Sequence, residues 1–171
     1  ELANAAADGG IKFVEITFSV PGALDVIKEL TRRGSIHVGA GTVLSPQQAE
    51  RAMGVGAEFI VSPVLNLPTI ELCCRYSKLV MPGALTPTEV VTAWQAGADI
   101  VKIFPSELTG PGYLKALHGP LPQIRLMPTG GVNLQTAAEF LKAGACALGI
   151  GGSLVEPKAI AGGDMARIES L

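Results

Sequence analysis

The stretch Gly97-Ala98-Asp99-Ile100-Val101-Lys102-Ile103-Phe104-Pro105 decides the fold. A glycine that ends a helical stretch leads into a short β-branched run, and a proline closes it. Strand alternation puts Lys102 on one face with Ile100 and Phe104, and sends Val101 and Ile103 to the face that meets helices. The same frame recurs in Gly10-Ile-Lys-Phe-Val-Glu15, Gly56-Ala-Glu-Phe-Ile-Val61 and Gly144-Ala-Cys-Ala-Leu-Gly149. In each, a helix-ending glycine precedes a strand position by five residues, so the glycine predicts a shared register.

Working outward, apolar runs predict strands at Phe13–Phe18, His37–Val43, Phe59–Pro63, Leu79–Ala84, Ile100–Pro105, Arg125–Gly130 and Ala147–Gly151. Their starts lie about 22 residues apart on average, room for one strand, one helix and two short loops. Between them, Ala23, Val26, Ile27 and Leu30 follow helical spacing, with Gly34 just beyond. Ser45-Pro46-Gln47-Gln48 and Thr86-Pro87-Thr88-Glu89 predict helix starts with an N-cap, a proline in the first turn and a capping-box residue. Asn133 precedes Leu134, Ala137, Ala138 and Leu141, and Gly144 stops that helix. Alternation of this kind predicts an α/β chain of consecutive βα units, a (β/α)8 barrel, as a single domain over 1–171.

Seven strands do not close an eight-stranded barrel. The chain opens on helical Glu1-Leu2-Ala3-Asn4-Ala5-Ala6-Ala7 and stops in Ile168-Glu169-Ser170-Leu171. The expectation is therefore that a first strand and the tip of the last helix lie outside these residues. Counting the first visible strand as the second of eight, Glu15, Val61, Lys102 and Gly149 form one interior layer, because alternate strands of such a barrel contribute to one layer.

Composition narrows the function classes. Of 171 residues, 48% are apolar and 16% charged, enough to build a large core. A net charge of −2 with no basic run argues against nucleic acid or an anionic membrane surface as partner. No apolar stretch reaches the roughly 18 residues of a membrane span, and no signal peptide is visible. Three cysteines, with Cys73 and Cys74 adjacent, do not make a disulfide framework, which points to a reducing cytoplasm. Two separated histidines, His37 and His118, give no support for a metal site.

Lys102 is the outstanding candidate. An ammonium moved from water into an apolar strand environment loses pKa, and a neutral amine attacks carbonyls to form a Schiff base. The plain alternative is an edge lysine that snorkels to solvent. Glu15 shares its strand face with Phe13 and Thr17, and a carboxylate there needs a cation or a proton. Beside Lys102 it would shuttle protons, or serve as a structural ion pair, or both. Two glycine-rich turns, Pro128-Thr129-Gly130-Gly131 and Gly149-Ile150-Gly151-Gly152-Ser153, follow the last two strands, where barrels of this class bind phosphate. Taken singly, each is an ordinary turn. Thr42, ending Gly39-Ala40-Gly41-Thr42, offers a hydroxyl and an N–H to a substrate carboxylate, or is incidental to a turn.

Read in order, Val-Glu15-Ile-Thr-Phe, Gly39-Ala-Gly-Thr42-Val, Phe59-Ile-Val-Ser-Pro63, Met81-Pro-Gly, Lys102-Ile-Phe-Pro105, Pro128-Thr-Gly-Gly131 and Gly151-Gly-Ser153 resemble the bacterial 2-keto-3-deoxy-6-phosphogluconate (KDPG) aldolase / 4-hydroxy-2-oxoglutarate aldolase family over essentially the whole chain. The resemblance implies a class I aldolase on a (β/α)8 barrel, a homotrimer without metal or cofactor, releasing pyruvate and glyceraldehyde 3-phosphate. It implies Lys102 as Schiff-base lysine and Glu15 as general acid/base. Thr42, Pro63 and Phe104 would contact the pyruvate end, and Thr129, Gly130, Gly131, Gly152 and Ser153 would hold a phosphate. It also implies a second substrate, 4-hydroxy-2-oxoglutarate, cleaved to pyruvate and glyoxylate. In one departure, Ser19 stands where many members have an arginine that contacts substrate. Three alternatives stay open: a galactonate-derived phosphorylated keto-acid as substrate, a phosphate-binding isomerase or synthase, and a non-catalytic barrel.

Overall fold

The repeated glycine sets the architecture. Gly10, Gly56, Gly97 and Gly144 all take the left-handed backbone, with φ of 98°, 107°, 102° and 103°. Each N–H donates to a carbonyl three residues back, and the next N–H donates to one five residues back, at 2.9–3.1 Å. This is the paired helix-ending bond pattern that satisfies carbonyls a helix leaves open, and glycine adopts it without a Cβ penalty. In the last three units the following N–H enters the preceding strand: Glu58 to Val38 O at 2.8 Å, Asp99 to Val80 O at 3.1 Å and Cys146 to Leu126 O at 3.0 Å. One turn therefore ends a helix and fixes the register of the next strand. Ser77 makes the same two bonds, to Cys74 O and Cys73 O through its own N–H and that of Lys78, at a φ of 51°.

The computed structural model describes residues 2–153 and Ala166. In chain order the elements are α1 (Leu2–Asp8), β1 (Phe13–Thr17), α2 (Ala23–Arg33), β2 (His37–Gly41), α3 (Pro46–Gly54), β3 (Phe59–Val61), α4 (Leu67–Arg75), β4 (Leu79–Met81), β5 (Gly83–Ala84), α5 (Pro87–Gln95), β6 (Val101–Ile103), α6 (Gly110–His118), β7 (Leu126–Pro128) and α7 (Ala137–Lys142). A 3₁₀ turn, Ser106–Leu108, follows β6. All strand pairs are parallel, in the orders β1-β2-β3-β4 and β5-β6-β7, and a parallel bridge joins Thr129 to Gly149. No described helix is long and apolar enough to cross a membrane.

One face of these strands carries the core. Val38, Ala40, Ile60 and Val80 bury against Ile27 of α2, Ala49 and Ala52 of α3, and Ile70 of α4. Val101, Ile103 and Leu126 bury against Val90, Ala93, Leu114, Leu117 and Phe140. Each fully buried aliphatic side chain contributes about 1.5–3 kcal/mol of transfer free energy, so this layer fixes the strands against the helices. The opposite face is left to Glu15, Lys102 and their neighbours.

Several elements differ from the sequence expectation. The run Leu79–Ala84 is two strands, because Pro82 has no N–H to give; its carbonyl instead accepts from Lys102 N at 2.9 Å. The third strand stops at Val61, where Ser62 Oγ turns back to accept from Val64 N and donate to Val64 O. Helix α7 starts at Ala137; Asn133 Oδ1 instead accepts from Gln135 N and Thr136 N in a turn. Gln48 accepts from Leu44 N, one residue ahead of the Ser45 cap, whereas the Thr86–Glu89 box forms in full. The unfinished helix at Ile168–Leu171 lies outside the described residues.

Candidate active site

Lys102 is the centre of β6, with Gly83 of β5 on one side in register and Met127 of β7 on the other. It is 6% exposed, and its Nζ lies 5.0 Å from the centroid of the Phe104 ring, which shares its face. Gly83 leaves no room for a side chain: a Cβ there would stand 2.3 Å from the backbone of Pro63. Pro63 thus closes against the strand next to Lys102 through its main chain. Burial pushes the Lys102 ammonium below the ordinary lysine range, and the Glu15 charge opposes this in part.

Glu15 sits mid-strand in β1, opposite Gly39. Its carboxyl lies over Gly41 of β2, where a Cβ would fall within 1.7 Å of Oε1. The residue as a whole keeps solvent contact, yet its carboxyl end is crowded enough that burial raises its pKa, with Lys102 pulling the other way. The two groups feel each other's charge without touching: the ion pairs within 4.0 Å among the described residues join Glu29 to Arg32 and Arg33, and His37 to Glu58. A contact salt bridge between Lys102 and Glu15 is therefore not formed.

Thr42 follows Gly41 directly and holds a φ of 54°. A β-branched residue in the left-handed region is a strained outlier of order 1–3 kcal/mol, of the kind that gathers at functional sites. Among the described residues its hydroxyl makes no hydrogen bond, which leaves it available at the end of β2.

The two glycine turns meet. Ser153 Oγ donates to Val132 O at 2.8 Å, and Thr129 bridges Gly149. Gly130 and Gly131 take φ of 91° and 71°, and among the described residues neither N–H reaches a protein acceptor. Gly152 has open space where a Cβ would be. Thr129 is turned inward: its N–H goes to Ile103 O and Ser106 Oγ, while its hydroxyl, shielded from solvent and without a partner, lies against Gly149. Ser106, which the sequence reading did not single out, latches this corner; it is 1% exposed, donates to Ile103 O at 2.7 Å and pairs its N–H with Thr129 O. Met127 and Gly83 were also missed, because strand partners are invisible without the register.

Parallel βα units that set a desolvated lysine on the helix-free face, near but not bonded to a carboxyl, define a class of enzyme that works through an amine on a strand. The comparisons narrow it: a family model described as KDPG and KHG aldolase matches residues 1–171. A 2-dehydro-3-deoxy-phosphogluconate aldolase of Treponema pallidum is 36% identical over 173 residues, spanning 99% of this chain and 82% of its own length. The KHG/KDPG aldolase of Escherichia coli K12 is 35% identical over the same span, with 81% of its length covered. Among solved structures, KDPG aldolase from Legionella pneumophila, with pyruvate captured as a covalent carbinolamine, superposes with a TM-score of 0.92 at 29% identity, covering 99% of this chain and 83% of that one. The chain belongs to the KDPG and KHG aldolase family.

Proposed function

We propose that the protein is a class I aldolase that cleaves 2-dehydro-3-deoxy-6-phosphogluconate to pyruvate and glyceraldehyde 3-phosphate, and 4-hydroxy-2-oxoglutarate to pyruvate and glyoxylate. The observation that carries this reading is the buried Lys102, 6% exposed and flanked by Gly83, Met127 and Phe104. Desolvation favours the neutral amine, which attacks the C2 ketone of the substrate; a proton passed from the Glu15 carboxyl to the carbinolamine hydroxyl and loss of water then give an iminium. That cation accepts the electron pair released as the C3–C4 bond breaks. Glu15, whose pKa burial raises and which that proton transfer leaves ionised, takes the C4 hydroxyl proton and the aldehyde leaves. Protonation of the enamine at C3 and hydrolysis of the imine then release pyruvate and restore the lysine.

Around this pair, Thr42 would bind the pyruvate carboxylate, with Pro63 and Phe104 shaping the pocket. The unpaired N–H groups of Gly130 and Gly131, with Gly152, would receive the phosphate. Thr129 and Ser153 would join them on rotating their hydroxyls away from Gly149 and Val132 O. A homotrimer in the cytoplasm completes the reading. The test is reduction with borohydride in the presence of pyruvate. A pyruvyl mass is expected on the Lys102 peptide and is expected to vanish in Lys102→Ala; unchanged mass at Lys102, or labelling elsewhere, contradicts the reading.

A further inference from the structure

Six connections follow strands, 18–22, 42–45, 62–66, 85–86, 104–109 and 129–136, and with the described residues after the Gly149 bridge, 150–153, they contain no lysine, arginine or histidine. They contain one formal charge, Glu107. It lies in the 3₁₀ turn after β6, packed under the turn proposed above to receive phosphate. A Cβ on Gly131 would meet Glu107 Cβ at 2.9 Å and Cα at 3.0 Å, and a Cβ on Gly130 would meet Glu107 Oε2 at 3.2 Å. The close approach of Glu107 leaves no room for a side chain at Gly131, and a Glu107 carboxylate oxygen lies beside Gly130. Ser19, where the family resemblance expects an arginine, adds a hydroxyl spent on Thr17 Oγ1 at 2.6 Å and no charge. Among the described residues, a dianion at this turn is thus met by neutral donors and one like charge.

We infer that Glu107 is a specificity-determining residue whose carboxylate, set against the Gly130-Gly131 turn, weakens binding of the phosphate end and so narrows the preference for phosphorylated over unphosphorylated 4-hydroxy-2-oxo acids. The inference rests on the aldolase reading and deepens it. A charge and a dianion several ångströms apart across an exposed turn interact modestly, and salt screens the interaction. The expected effect is therefore about three- to tenfold at low ionic strength and much less at high.

The test is Glu107→Gln, which keeps the shape under Gly131 and removes the charge. Calorimetric binding of inorganic phosphate to the wild type and the variant is the first measurement; about three- to tenfold tighter binding by the variant, fading in half-molar salt, supports the inference. Equal or weaker phosphate binding overturns it, as does a gain that salt leaves intact. The second is the ratio of kcat/KM for the 6-phosphorylated keto-acid to that for 4-hydroxy-2-oxoglutarate. The ratio is expected to rise through KM of the phosphorylated substrate, and an equal change for both substrates overturns the inference. Failure of pyruvate to trap at Lys102 would instead remove the aldolase reading, and the phosphate titration would still decide whether Glu107 acts on an anion.

Discussion

The two ends of the strands are built from opposite materials. At the N-terminal ends, Phe13 is 63% exposed and stacks on His37 at 4.9 Å, and His37 Nδ1 meets Glu58 Oε2 at 2.8 Å. A cavity of about 350 Å³ opens there, lined by Lys12, Phe13, Thr31, Ser35, His37 and Glu58. At the C-terminal ends the loops are almost uncharged, with a left-handed Thr42 and paired glycines. This hollow lies at the strand ends opposite those that carry Thr42 and the glycine turns. Charge does not mark the end that we propose to work; desolvation, close backbone approach and unspent N–H groups do, since pKa shifts and strain gather at functional sites. The ion pair at the other end is exposed and of a kind worth little.

The sharpest break between the ends is expected from Lys102→Met. It removes imine formation, a loss of roughly a thousandfold or more in turnover. It also raises stability by about 0.5–2 kcal/mol, because a buried ammonium is replaced by a thioether of similar length. The sign follows from the depressed folded pKa: the penalty is full below the folded pKa, where lysine is protonated in both states, so the gain in thermal midpoint is largest there. It fades as pH rises toward the ordinary lysine range.

Next comes Gly41→Ala. The methyl takes the place held by the Glu15 carboxyl, so turnover is expected to fall by about a hundredfold while pyruvate trapping at Lys102 survives. In a Glu15→Ala background the same substitution is expected to cost little more; full additivity of the two losses would show that Gly41 does not act through Glu15. Glu15→Gln tests the coupling by pH. With the negative charge gone, the Lys102 ammonium is destabilised further, so the rising limb of trapping against pH should move to lower pH. A move to higher pH would contradict the assigned interaction.

The smallest effect belongs to the other end. His37→Gln is expected to change stability by less than about 1 kcal/mol and trapping not at all, since both side chains of the pair are about half exposed. A large loss of trapping would erase the contrast between the two ends.

Much of this was legible in the residues. The five-residue offset from Gly10, Gly56, Gly97 and Gly144 could be read because a left-handed helix end needs glycine, and glycine is visible in a sequence. The Ser77 turn, with the same bonds, was not, because serine carries no such mark. Alternation correctly sent Val101 and Ile103 to the helices and Lys102 to the other face. Pro82 should have split its strand in the reading, since proline lacks the donor a ladder requires. The neighbours that define the lysine's surroundings, Gly83 and Met127, follow only from register, as do Ser106 under Thr129 and Glu107 under Gly131. Whether Glu15 and Lys102 touch depends on side-chain placement that spacing does not set.

Burial holds the strand lysine toward its neutral form. Titration of Lys102 by NMR, with lysines carrying ¹³C at the ε-carbon and the signal assigned by its loss in Lys102→Met, tests it directly. A midpoint below the ordinary lysine value of about 10.4 is expected, falling further in Glu15→Gln. A midpoint at or above that value would contradict it.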